Sequence, residues 1–283
     1  MPRFHISPGS EKEGVVMLDK AESHHALAVL RLKAGEVVEL LDGQGGIFQG
    51  IVAGAERGLL KISVARPSRP PRSAAIEGIA AVARPSRPPR SAAIEGIAAV
   101  RGDSKQNAES RVTITLAVSV IKPERMELLI QKSCELAAHS VIPLISERTV
   151  VRLSRERWQS KIQRWQKIAR ESCKQCGRSL VPVIQPVMEF KKFAETISQY
   201  DLSLIPTLAL PVQGFCCTLN ANKSAKSLLI LIGPEGDFSR NEALLAVERG
   251  AKPVSLGPLV LRSETAALYA LAVVNFFYQE VTQ

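Results

Sequence analysis

The chain has 283 residues, is 46 % apolar and carries a formal net charge of +10. That length suits two domains or one large one with a sizeable core, and that apolar content excludes a chain disordered throughout. No apolar run approaches the roughly 18–20 residues that cross a bilayer, and MPRFHISPGSEKEG lacks the apolar stretch of a secretory signal, so a cytoplasmic protein with no membrane partner is expected.

Residues 1–64 read as β-rich. Short apolar stretches recur at Val15–Leu18, Val37–Leu41, Ile47–Val52 and Leu59–Val64, separated by glycines and polar turns. A helical pattern over Ala21–Leu30 interrupts them, which gives a small β-barrel with one helix. Residues 64–81, VARPSRPPRSAAIEGIAA, then recur letter for letter at 82–99. Two copies are too few for a solenoid, so 65–108 reads as a linker lengthened by a tandem duplication. Residues 64–99 hold six Arg and two Glu, a local +4, which leaves +6 for the rest of the chain. The balance favours a polyanionic partner such as nucleic acid, with a basic enzyme of another kind as the alternative.

From residue 111 the pattern turns α/β. Strand-like Val112–Val120, Val141–Ile145, Val181–Ile184, Leu202–Ile205 and Leu228–Ile232 alternate with helical spacing over Glu124–His139, 154–176 and 189–198. Strands that are apolar throughout imply a parallel sheet covered on both faces. Trp158 and Trp165, seven apart on one helix face, read as core. Of the five cysteines, Cys173 and Cys176 have CxxC spacing, but no second pair follows at zinc-ligand spacing. Reduced thiols and no metal are expected.

The last third carries the chemistry. LLILIGPEGDFSRNE runs from a buried strand into Gly233-Pro234-Glu235-Gly236, then into a capping box with Ser239 as N-cap and Glu242 three residues on. That helix ends at Gly250, a strand follows over Pro253–Leu256, and Gly257-Pro258 turns the chain into a long apolar helix over 265–280. Both turns sit at carboxyl ends of strands, where open α/β sheets take ligands. Neither is a phosphate loop, since GxxxxGK[ST] and GxGxxG are absent. Backbone-lined turns of this sort suit a neutral purine edge.

LIGPEGDFSRNE followed by SLGPLVLRSETA resembles the paired motifs of the SPOUT methyltransferases, which bind S-adenosylmethionine in the loops of a trefoil knot. Within that superfamily the chain resembles the 16S rRNA (uracil-N3) methyltransferases, which modify uridine 1498 of the small ribosomal subunit. KPERMELLIQKSCEL, IPLISERTVVRL and RWQKIARESCKQCGRSLVP carry that likeness in the catalytic part, and PRF with HHALAVLRLKAGEVVELLDGQGG in an N-terminal PUA-like barrel. The resemblance covers about 1–64 and 111–283. It implies an α/β fold of a PUA-like RNA-binding barrel (1–64), a linker (65–108) and a SPOUT domain with a mostly parallel sheet (109–283).

The resemblance further implies that S-adenosylmethionine lies against Ile232, Gly233, Pro234, Gly236, Leu256, Gly257 and Leu261. It makes Arg262 a candidate for stabilising charge on the base or gripping its phosphate, with a structural role at the helix entry as the alternative. Glu264 is the candidate base for the uracil imide proton, or equally an acid that complements the helix N-terminus. Glu235 positions the target or is a solvated turn acid. Candidate RNA contacts are Arg3, His25 and Arg31 in the barrel and Arg148, Gln175 and Arg178 in the catalytic domain. The partner implied is 16S rRNA of the small subunit. A homodimer whose two chains build each RNA site is also implied, with the apolar C-terminal helix at its interface. Three departures stand out: the family usually has Arg where Leu259 stands, usually Gly where Ala138 or its neighbour follows CELA, and commonly an acidic residue where Lys174 stands. Two other readings remain, a SPOUT enzyme acting on tRNA or a ribose 2′-OH, and a ribosome-binding or assembly protein with a weakened site.

Overall fold

Short strands of alternating burial build the N-terminal unit, and strands buried on both faces build the second. In this computed structural model the structure describes residues 1–7, 10, 14–64, 112–151 and 153–281. The expected linker of 65–108 and its duplication lie outside them. The chain divides into two units, one of residues 1–40 and 47–106, the other of 41–46 and 107–283.

In the first unit, β1 (Arg3–His5), β2 (Val15–Met17), β3 (Val37–Leu41), β4 (Ile47–Glu56) and β5 (Leu59–Val64) form one sheet in the order β1-β3-β4-β5-β2. β4 and β5 pair antiparallel, with a bulge between Val52 and Gly54. The pleat turns Val38, Leu40, Val52, Leu60 and Ile62 into one core with Phe4, Val16 and Leu18. The helix starts at Lys20, where Asp19 accepts from the Glu22 amide at 2.8 Å, as α1 (Lys20–His24). It then loosens into a π-helical turn over His25–Val29.

In the second unit the elements run β6 (Thr113–Ser119), α2 (Pro123–Glu135), β7 (Ser140–Ile145), α3 (Arg155–Cys176), β8 (Val183–Ile184), β9 (Met188–Glu189), α4 (Phe190–Ala194), β10 (Leu202–Pro206), β11 (Gln213–Gly214), α5 (Phe215–Asn220), β12 (Ser227–Ile232), α6 (Arg240–Glu248), β13 (Ala251–Ser255) and α7 (Ser263–Phe276). The sheet order is β11-β13-β10-β12-β6-β7-β8, and the pairs across it are parallel. Apolar clusters cover both faces, one with Leu116, Ile230 and Leu271, the other with Ala117, Leu229 and Leu231. Neighbouring residues of a strand thus bury on opposite sides, which is why these strands read as unbroken apolar runs. This is the α/β arrangement that the motifs imply, a mostly parallel C-terminal sheet with a β-rich N-terminal part.

Several boundaries differ from the sequence expectation, three of them in helices of the second unit. α2 ends at Glu135, not His139, because Ala137 turns left-handed at φ 62°. The helix expected over 189–198 is α4 followed by a separate 3-10 turn over Ile197–Gln199. α7 begins at Ser263 and ends in a π-helical turn over Phe277–Val281. Trp158 and Trp165 are core, with ring centroids 6.4 Å apart. The five cysteines are free thiols. Among the described residues, no cluster of three or more His, Cys, Asp or Glu is placed to hold a metal, and no helix is long and apolar enough to cross a membrane.

Candidate functional site

The carboxyl ends of β10, β12 and β13 lie side by side, and a cavity of about 520 Å³ opens there. Its wall takes Pro206, Thr207, Leu208 and Ala209 at the end of β10, the stretch 232–238 at the end of β12, and 254–257 with 259–261 at the end of β13. All seven residues expected to face a cofactor line it: Ile232, Gly233, Pro234, Gly236, Leu256, Gly257 and Leu261.

The 233–237 loop has a fixed shape for stated reasons. A Cβ on Gly233 would stand 2.6 Å from the Phe238 nitrogen, so only glycine fits. The Asp237 amide closes the turn onto the Pro234 carbonyl at 2.9 Å. Asp237 itself is left-handed, at φ 62°. Its Oδ1 accepts from the Phe238 amide at 2.7 Å, and its Oδ2 from the Thr207 hydroxyl and the Leu208 amide, both at 2.8 Å. One carboxylate therefore ties the loop after β12 to the loop after β10. On the other side, Gly257 turns at φ 114°, with its amide on Ser255 Oγ at 3.2 Å.

A second brace comes from the turn after β7. Glu242 completes the capping box with Ser239, and its Oε1 also accepts from the Glu147 amide at 2.8 Å. The neighbouring Arg148 donates to the Gly236 carbonyl. Arg148 thus lines the cavity and holds the glycine loop from outside.

The two candidate catalytic residues stand at the head of α7 but outside the cavity wall. Arg262 is the exposed N-cap residue of that helix, in extended conformation at φ −67°, ψ 153°. Glu264 faces inward. Its side chain is 12 % exposed, its Oε1 lies 3.6 Å from Arg125 Nε, and its Oε2 is buried without a hydrogen-bond partner. Glu235 lines the cavity, and its Oε1 lies 3.5 Å from Nη1 of the same Arg125. Leu259, where the motif resemblance implied Arg, is an apolar rim residue 75 % exposed, beside Val260 at 78 %.

The candidate RNA contacts separate into different situations. His25 and Arg31 are exposed in the N-terminal unit, His25 against the Phe4 ring and Arg31 at a left-handed turn of φ 55°. Arg3 is bound to Glu39 at 2.7 Å. Gln175 is exposed near the end of α3. Arg178 is a correction. It is 3 % exposed, and its guanidinium donates to the Ala138 carbonyl at 2.6 Å and the Cys134 carbonyl at 3.2 Å. A cation buried against the end of α2 caps that helix and is not presented to a phosphate.

Sequence reading missed Arg125, Asp237 and the Thr207–Ala209 loop. A signal for each existed: in a parallel sheet every strand-to-helix junction emerges at the same edge, so PER after β6 and TLA after β10 belong with GPEG and LGP.

The comparisons agree with this architecture. The family model of the RNA methyltransferase domain matches residues 108–275, and that of the RNA methyltransferase PUA domain matches 18–65. Ribosomal RNA small subunit methyltransferase E of Bacillus subtilis is 32 % identical over 177 residues, which cover 61 % of this chain and 69 % of the relative. A ribosomal RNA small subunit methyltransferase E from Neisseria gonorrhoeae, solved bound to S-adenosyl methionine, superposes with a TM-score of 0.77 at 26 % identity, covering 98 % of each chain. A Legionella pneumophila protein solved with bound SAM gives 0.75 at 28 %, covering 96 % of each. The chain belongs to the RNA methyltransferase family that includes the ribosomal RNA small subunit methyltransferases E.

Proposed function

We propose that this chain is an S-adenosylmethionine-dependent methyltransferase acting on N3 of a uracil in 16S rRNA, of the position-1498 type. The observation that carries the reading is the cavity at the three strand ends, lined by every residue that the paired GPEG and LGP motifs assign to the cofactor. Its volume is that of a small-molecule site. Its apolar wall of Ile232, Leu256 and Leu261 suits an adenine, and Gly236 and Gly257, whose Cβ positions meet no backbone, let a ligand approach the chain. The bound cofactor would supply an electrophilic methyl group.

The chain's own groups account for the rest. Glu264 accepts the imide proton, since its Oε2 is a buried acceptor in need of a donor. Arg262, exposed beside it, balances negative charge on the base or its phosphate. Glu235 orients the base from the cavity wall, and Arg148 acts first as a brace of the glycine loop. The target uridine must be unpaired or flipped to expose N3. Arg3, His25, Arg31 and Gln175 are the proposed phosphate and base contacts. The working form is a cytoplasmic homodimer with α7 at its interface, where Tyr269 and Phe276 are exposed at 47 % and 62 %.

Nucleoside mass analysis of 16S rRNA from a deletion strain tests this. Loss of N3-methyluridine, restored by the wild-type chain and not by Glu264→Gln, is expected; N3-methyluridine persisting unchanged contradicts it. The exposed Leu259 favours one second reading, a ribosome-binding protein with a weakened site. Calorimetry separates the two, since a folded chain that binds no S-adenosylmethionine would support the second.

A further inference from the structure

Three side chains from three separate junctions meet at this sheet edge. Arg125 leaves the first turn of α2, just after β6. Glu235 sits on the loop after β12, and Glu264 in the first turn of α7. Arg125 Nη1 is 3.5 Å from Glu235 Oε1, and Nε is 3.6 Å from Glu264 Oε1. These are ion-pair separations, longer than the roughly 2.7–3.2 Å of a hydrogen bond. One guanidinium thus faces two carboxylates, one on the loop after β12 and one at the head of α7.

Stability is a poor reason for this arrangement. Side-chain exposures of 32 % for Arg125 and 38 % for Glu235 place that pair among partly solvated ones, which contribute little. Geometry and charge are better reasons. Without a cation between them, two carboxylates would repel each other and an incoming polyanion. With it, Glu264 has one oxygen turned to the cation and leaves the other, Oε2, buried and unpartnered. Such an oxygen is costly unless a donor reaches it in the working state.

We infer that Arg125 is a positioning residue for the proposed reaction: it locks Glu264 to the Glu235 loop, so that the acid at the head of α7 and the cofactor loop act as one unit, with Glu264 Oε2 left to receive a donor from the bound base. The inference rests on the proposed function. A guanidinium suits this task because its planar fork reaches two acceptors, whereas an ammonium is a single point charge.

Steady-state kinetics on the full chain, with S-adenosylmethionine and small-subunit RNA, tests it beside calorimetry and thermal unfolding. Arg125→Gln is expected to lower kcat by at least about tenfold, a part of the roughly hundredfold or more that a positioned acid or base contributes. KM and the calorimetric Kd for S-adenosylmethionine should stay within about threefold of wild type. The unfolding midpoint should fall by less than about 4 °C. Arg125→Lys should recover part of kcat. In a Glu235→Gln background, Arg125→Gln should cost less than it does alone, because the two act together.

Wild-type kcat in Arg125→Gln overturns the inference, as does a kcat loss that Arg125→Lys leaves unchanged and a matching loss of folded protein explains. Should Arg125→Gln not fold, Arg125→Lys and Glu235→Gln decide, and full kcat in both overturns it. A wild-type chain that binds no S-adenosylmethionine overturns the proposed function and this inference with it. An active wild type with an equally active Arg125→Gln removes the inference alone.

Discussion

Gly233 and Asp237 show how single residues shape the site. At Gly233 the obstacle to any other residue is backbone, 2.6 Å from a would-be Cβ at the Phe238 nitrogen and 2.9 Å at the Asp237 carbonyl carbon. Gly233→Ala must therefore move the loop, and calorimetry is expected to show S-adenosylmethionine affinity falling at least about tenfold, equivalent to about 1.4 kcal/mol. At Gly236 a Cβ would meet only Arg148 Cδ at an ordinary 3.7 Å, so any need for glycine there comes from the ligand. Asp237→Ala removes three hydrogen bonds to one carboxylate and should cost roughly 2–3 kcal/mol in denaturant unfolding. Tyr278 gives a pH test. Burial, and then the nearby Asp201 charge, push its phenol up to about 12, while its hydroxyl donates to the Asn222 carbonyl at 2.7 Å. Its folded value lies above the unfolded value of about 10, so its contribution is whole below pH 10 and is lost as pH rises towards 12. Thermal unfolding midpoints should fall over that window, and less steeply in Tyr278→Phe.

The end of α2 joins two residues that the sequence left separate. The Ala138 amide bonds to the Ser133 carbonyl at 3.0 Å and the Ala137 amide to the Cys134 carbonyl at 3.3 Å, the two bonds of a Schellman motif. Its left-handed position falls on Ala137, at φ 62°, where a side chain costs energy that glycine avoids. Ala137→Gly should raise stability by about 0.5–1 kcal/mol, read from the urea midpoint. Arg178 donates to the Cys134 and Ala138 carbonyls of the same turn, so Arg178→Leu should cost about 2–3 kcal/mol and leave RNA affinity unchanged. Periodicity made the strands and the long helices legible, because all-apolar strands and helical spacing survive in any context. The capping box at Ser239 and Glu242 was legible too, since its partners lie three residues apart. What stayed hidden was long-range. Arg178 reaches back about forty residues, Asp237 thirty, and Arg125 more than a hundred, and no local spacing encodes such pairings. The candidate site was accordingly legible where motif glycines form it, and illegible where ion pairs between distant junctions hold it.

For the chain as a whole, a charge of +10 predicts binding to RNA that weakens with salt. Arg31→Ala should reduce the slope of log affinity against log salt by about one, the value for one lost phosphate contact. Arg3→Ala should reduce it less, because Glu39 already neutralises that cation. The two units then have separable tasks in the proposed function, with the cofactor cavity complete within the second. The decisive measurement is nucleoside mass analysis of small-subunit rRNA after incubation with the purified chain and S-adenosylmethionine carrying a labelled methyl group. N3-methyluridine as the labelled product is the expected result. Label on a ribose 2′-oxygen, or no transfer by a folded chain, would contradict it.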